Sequence, residues 1–445
     1  MKERITIWVT PKNPLPFLVL ILLTLSVGGL QKVAAFQDDA QELNTSFTQF
    51  KGEVLDDENN KPLVFATLSV EGSNISTVTN TEGEFALKVP TEMLSGNLVV
   101  SFLGYKTQVI PMVQLSERKN SIKLQVSVTE LSEVNLTVPK DAAALVRETL
   151  KKKGDNYFED PTLMTAFYRE TIKKRKNNVS LSEAVVNIYK TPYTSDKKDA
   201  VQLYKARKST DYDKLDTVAL KLQGGPFNAL FVDIMKYPEY IFTDAAIEAY
   251  IFSFDRSTIV DNQLIYIVSF EPKENLIDQL YKGKLYIDAE NKILTSATYS
   301  LNITDKEEAA KLFVRKKPKN ANVWPTEVAY RVDYREKNGR WYYGYSNVLL
   351  EFKVDWDKKL FNSVYTLACE MAVTDWEKNL TSEQPKGKGL MKSSIILNDE
   401  AIGFADPDFW GEYNIIEPEK SIESAIKKIQ RQLRRNKNNG GTSAR

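Results

Sequence analysis

Val328-Ala329-Tyr330-Arg331-Val332-Asp333-Tyr334-Arg335-Glu336-Lys337-Asn338-Gly339-Arg340-Trp341-Tyr342-Tyr343-Gly344-Tyr345-Ser346 decides how the rest of this 445-residue chain is read. Val328, Tyr330, Val332 and Tyr334 alternate with Ala329, Arg331, Asp333 and Arg335. That is the period of a strand with one buried face. Asn338-Gly339 then reverses the chain, because this pair accepts positive φ at both central positions of a tight hairpin. Trp341, Tyr343 and Tyr345 carry the alternation back, with Tyr342, Gly344 and Ser346 opposite. A second hairpin is read at Ile287-Asp288-Ala289-Glu290-Asn291-Lys292-Ile293.

Outward from these hairpins the chain keeps reading as β structure. Leu163 to Ile172, Val179 to Tyr189, Val201 to Arg207, Ile247 to Phe254 and Gln263 to Phe270 are candidate strands, and Gly283 to Ile287 another. Asp141 to Asn156 reads as a leading helix, its Ala142, Leu145, Val146, Thr149 and Leu150 on one face. A short helix is expected over Pro226 to Lys236, after Gly224-Gly225. Residues 141–435 are therefore expected to form one large antiparallel meander with a few helices. Cys369, in the strand-like run Val364 to Cys369, is expected to be a small buried hydrophobe.

Residues 47–136 read differently, as about seven short strands separated by turn residues with no helix between them. Phe47 to Leu55 ends in the polar loop Asp56 to Pro62, and Ser76 to Asn80 and Glu84 to Val89 flank Thr81-Glu82-Gly83. Strands at this spacing make a small β-sandwich. Gly52-x-Val54, Pro62-Leu63-x-x-Ala66-x-Leu68-x-Val70-x-Gly72 and Thr77-x-Thr79-Asn80-x-x-Gly83-x-Phe85-x-Leu87-x-Val89-Pro90 carry a family pattern, completed by Ser101-Phe102-x-Gly104-Tyr105. They resemble the carboxypeptidase-like regulatory domain, a transthyretin-like seven-stranded sandwich common at the front of exported Bacteroidota proteins. The resemblance implies a mainly β protein: this sandwich followed by a larger β-rich domain. The order of elements in that second domain is similar to the half-barrel of outer-membrane lipoprotein-sorting proteins, whose concave face holds acyl chains. The run Phe409-Trp410-Gly411-Glu412-Tyr413-Asn414-Ile415-Ile416-Glu417-Pro418 resembles the ending of larger proteins that carry the same first domain.

Residues 1–35 read as an export signal: Lys2, Arg4 and Lys12 precede the uncharged apolar run Pro16 to Leu30, and Val33-Ala34-Ala35 places cleavage after Ala35. The expected location is the periplasm or cell envelope. Beyond Asn414, Ile422, Ala425, Ile426, Ile429 and Leu433 form an apolar stripe, with Lys427, Lys428 and Arg431 crowding the other side. This helix is a candidate for docking on the half-barrel or for peripheral membrane contact. Residues 436–445 are polar and Gly-rich and are read as disordered.

Composition excludes more than it assigns. With 60 Lys+Arg against 59 Asp+Glu the chain lacks the basic excess of a nucleic-acid binder. It contains no histidine, so Ser–His–Asp and Cys–His catalysis are excluded. The zinc centre of the metallocarboxypeptidases, which needs two histidines, is excluded with them. No cofactor or metal is expected. The leading expectation is a non-enzymatic binding or scaffold protein for an envelope protein or an apolar or glycan ligand. The candidate ligand face is Tyr330, Tyr334, Trp341, Tyr343 and Tyr345. Two alternatives stand beside it: a periplasmic lipid or lipoprotein carrier, and a histidine-free glycosidase using two carboxylates.

Overall fold

The computed structural model describes residues 3–8, 46–127, 141–175, 177–210, 218–255, 258–260, 263–274, 280–317, 319–357, 360–381, 385, 389–403 and 409–419. Ala35 and the stripe Ile422, Ile426 and Ile429 with Lys427, Lys428 and Arg431 lie outside them.

The first unit is the expected sandwich. One sheet has three strands, Glu84–Pro90, Phe47–Asp56 and Asn120–Leu124. The other has four, Ser76–Val78, Thr67–Val70, Asn97–Ser101 and Gln108–Pro111. Every second residue of these strands points inward, so Val54, Leu68, Phe85, Leu87, Val89, Leu98 and Val100 share a core between the sheets.

The second unit is a twelve-stranded sheet. Its spatial order runs Tyr250–Phe254, Gln263–Pro272, Tyr281–Asp288, Ile293–Leu301, Ala321–Lys337, Arg340–Trp356, Ser363–Lys378, Thr162–Lys174, Asn177–Lys190, Ala200–Thr210 and Ile402–Gly403, with Thr258–Val260 beside Gln263–Pro272. All neighbours are antiparallel except Ile402–Gly403. The chain thus enters this sheet in its middle, and the meander is two runs joined where Ser363–Lys378 meets Thr162–Lys174. Separately, Glu3–Trp8 lies between Val218–Gln223, parallel to it, and Val314–Lys316. These first residues, expected to belong to an export signal, are extended and paired.

The quoted hairpin forms over Ala321–Lys337 and Arg340–Trp356. Asn338 and Gly339 both take positive φ, 54° and 76°, as its turn requires. One face of the large sheet, the inner face, is covered by the helix Ala142–Lys151 and by residues 224–247. Asp141 caps that helix, its carboxylate accepting from Ala144 N. Leu145 and Val146 share one core with Tyr330, Val332, Tyr334 and Tyr343 of the sheet and with Phe227, Leu230, Val232, Met235 and Phe242 from the covering segment. Cys369 is fully buried in the same cluster, as expected, and burial pushes its thiol well above the usual range.

The outer face is not left to water. The sandwich sits on it, and the tail Phe409 to Glu419 runs through the seam. Val78 and Phe65 of the sandwich, Phe167, Val185, Tyr345 and Ala372 of the sheet, and Trp410, Ile415 and Ile416 of the tail make one joint core. Polar ties reinforce it: Ser76 Oγ donates to Val373 O at 3.2 Å, Thr77 Oγ1 to Ile415 O at 3.0 Å, and Lys51 pairs with Glu417 at 2.8 Å.

Candidate functional site

Strict alternation would put Trp341, Tyr343 and Tyr345 on one face; the structure does not. Tyr334 pairs with Tyr343, but Asp333 pairs with Tyr345, so Gly344 is an extra residue in the return strand. That bulge turns Tyr345 to the outer face, where it stacks on Phe65 at 4.8 Å between centroids. Tyr330, Tyr334 and Tyr343 stay on the inner face and are at most 5% exposed. The five aromatics therefore do not form one open face. Of the five, the half-buried Trp341 and one edge of Tyr334 border open space.

Inner-face tyrosines instead hold the covering segment. Tyr334 OH donates to Asp233 Oδ1 at 2.9 Å and accepts from Met235 N at 3.1 Å. Lys190 Nζ bridges Asp199 and Asp233 at 2.7 Å each, and Tyr237 OH donates to Asp199 at 2.7 Å. Burial opposes the Lys190 charge, yet the two carboxylates hold the ammonium above its usual range. Side chains fill the space under this segment: Leu230, Met235, Val332 and Tyr343 expose nothing to water, so no water-sized hollow touches them.

Open space lies on the other side, between the sandwich and the outer face. It is a groove of about 890 Å³. The sandwich contributes Phe65, Phe102, Asn74 and the serines of Thr67–Val70 and Asn97–Ser101, and the large sheet contributes Arg331, Asp333, Arg335, Lys337, Trp341 and Tyr342. These charged residues are the polar alternates of the quoted hairpin. Their alternation was legible; that they face a second unit instead of solvent was not.

Two arginines dominate the floor. Arg331 donates from Nε to Asp333 Oδ2 at 2.7 Å, and its guanidinium lies 5.7 Å from the Phe65 ring centre and 5.8 Å from that of Phe102. Burial opposes its charge, and Asp333 outweighs that, holding it above its usual range. Arg335 Nη1 donates to Ser76 Oγ at 2.6 Å and to Val373 O at 2.8 Å. Its Nη2 is buried with no partner among the described residues. Burial pulls Arg335 below its usual range, offset only in part by Tyr342 and Asp333. Gly344 makes room for this side chain, since a Cβ there would stand 2.6 Å from Arg335 Cγ.

The groove's other carboxylates have local work. Asp288 accepts from Asn291 N at 2.6 Å, Glu71 from Asn97 Nδ2 at 2.6 Å, and Glu336 from Gly339 N. Asp333 also accepts from Ser296 Oγ at 2.6 Å. Among the described residues no three His, Cys, Asp or Glu side chains gather to hold a metal ion. Nor is any helix among them long and apolar enough to cross a membrane.

Comparison with known proteins agrees with the first unit. Residues 50–136 match the family model described as CarboxypepD_reg-like domain, so the sandwich is a domain of that kind. No curated protein matches the chain. Among solved structures, an outer membrane lipoprotein-sorting protein domain, so described, from Vibrio parahaemolyticus aligns at 10% identity over 55% of this chain and 94% of its own, with a TM-score of 0.24. A LolA-superfamily protein from Nitrosomonas europaea aligns at 9% identity over 52% of this chain and 94% of its own, with a TM-score of 0.21. TM-scores of that size have no bearing on function.

Proposed function

We propose that this is a non-enzymatic binding protein of the cell envelope, exported by its N-terminal segment, whose ligand is taken in the groove between sandwich and sheet. The observation that carries the reading is the groove itself. Its volume of about 890 Å³ falls in the range of ligand sites, and its walls come from two units that the seam holds in fixed relation. The absence of histidine from the chain argues for binding and against most hydrolytic chemistry. Native mass spectrometry of the chain recovered from its own envelope tests it. A ligand adduct whose presence slows hydrogen exchange in residues 69–76 and 331–337 is the expected result; a bare mass with unchanged exchange overturns it.

A second reading, the apolar carrier, is favoured by the covering segment. Gly224 and Gly225, at φ of 120° and 53°, begin a stretch that closes an inner face apolar except for the Lys190, Asp199 and Asp233 cluster and its tyrosines. Carrying would require this segment to lift. In the same spectrum, an adduct extractable as lipid, with faster exchange over residues 226–242, identifies the carrier.

A further inference from the structure

We infer that the groove selects an acidic ligand, a hydroxyl-rich glycan bearing a carboxylate, and that Arg331 is the residue that reads the charge. This rests on the groove being the ligand site. Arg331 pairs with Asp333, while Arg335 bonds the neutral oxygens of Ser76 and Val373, so their part of the floor carries one positive charge in excess. Lys337 adds another, its Nζ donating to Ser73 O at 2.9 Å. Asp288, Glu71 and Glu336 line the same groove and keep their charge, each bonded to a neutral donor in its own turn or neighbouring strand, so it is the position of Arg331 and not the net charge of the lining that favours an anion.

Among the described residues the Arg331 guanidinium bonds only through Nε, so both Nη groups are left for a ligand. Phe65, Phe102 and Asp333 fix its plane before anything binds, which lowers the entropy cost of a two-pronged contact with a carboxylate. Arg335, four residues further along the same strand, is desolvated and adds a second positive charge to the floor. The remaining walls suit a sugar: Ser69 and Ser101 offer hydroxyl groups, Asn74 an amide oxygen, and the half-buried Trp341 an aromatic face.

The test is calorimetric titration of the full mature chain with a galacturonic-acid trisaccharide, with the neutral galactose trisaccharide, and with inorganic phosphate. The acidic trimer should bind about tenfold tighter than the neutral one, and added salt should narrow the gap. Arg331→Gln should remove the preference while circular dichroism stays unchanged. Asp333→Asn, which takes away the competing carboxylate and keeps an acceptor for Ser296, should strengthen acidic binding about threefold or more. Equal binding of the two trimers, or a preference that survives in Arg331→Gln without the Asp333→Asn gain, overturns the inference. Phosphate competing at the same concentration as the acidic trimer would show a bare anion site and overturn the glycan assignment. If the envelope ligand protects the groove but neither trimer binds, the acidic-glycan inference fails and the binding function stands. If nothing occupies the groove, both fail.

Discussion

At the scale of single residues, the outer face is held by charges that the sequence offers as surface. Arg207, Glu183, Arg169 and Glu370 lie side by side on four adjacent strands, with Arg169 Nε 2.8 Å from Glu183 Oε1 and Arg207 Nη2 2.8 Å from Glu183 Oε2. Glu183 is fully buried, and its carboxyl stays below the usual range because two guanidiniums outweigh burial. Glu183→Ala takes from Arg169 and Arg207 the buried carboxylate they share and should cost about 3–5 kcal/mol in urea denaturation; a loss under 1 kcal/mol would mean the ladder is not desolvated as described. Across the same strands, Glu170 has no cation partner among the described residues. Burial lifts its carboxyl to about 8, although Tyr168 OH, 3.0 Å away, and Ser182 lower it. Between the ordinary carboxylate range and about 8, the unfolded chain has released a proton that the folded chain keeps. Stability from this group is complete at low pH and declines as pH rises through that window. Thermal melts from pH 5 to 8.5 should show the decline, and Glu170→Gln should flatten it; parallel slopes in the two proteins would remove Glu170 as its source.

At the scale of elements, the hairpin around Asn338-Gly339 and the seven sandwich strands were legible because turn residues and two-residue alternation are local signals. The bulge at Gly344 was not. One inserted residue leaves the run of aromatics looking regular while it sends Tyr343 and Tyr345 to opposite faces. The charged alternates Arg331 and Arg335 read as solvent-facing because alternation reports which residues share a face and says nothing of what lies against it. The tail shows the same limit. Phe409 to Glu419 contains no regular secondary structure, yet it links three parts. Trp410, 3% exposed, lies 4.8 Å from the Arg207 guanidinium, and Ile416 O accepts from Arg169 Nη2 at 2.7 Å. Asn414 Oδ1 accepts from Lys88 N of the sandwich at 2.7 Å. Trp410→Ala should cost about 3–5 kcal/mol through the cavity and the uncovered arginine. Limited proteolysis should then cut the tail first; unaltered stability would make the tail a passenger.

At the scale of the whole molecule, sandwich and sheet keep separate cores but share the one in the seam. Heating should therefore give a single calorimetric transition, with equal calorimetric and van't Hoff enthalpies. Two resolved transitions in the intact chain would show the seam to be weak, and the groove with it. Which strands neighbour which in the large sheet was beyond a reading of the sequence, since Arg169 and Glu370 touch across 201 residues. That long reach also sets a timetable. In chain order all the sandwich strands precede Thr162–Lys174, which pairs with Asn177–Lys190 close by but must wait for the distant Ser363–Lys378 on its other edge. The seam residues of the tail emerge later still. The large sheet is thus the last part to close, because the sandwich needs only its own contiguous stretch of chain while the sheet needs strands about two hundred residues apart.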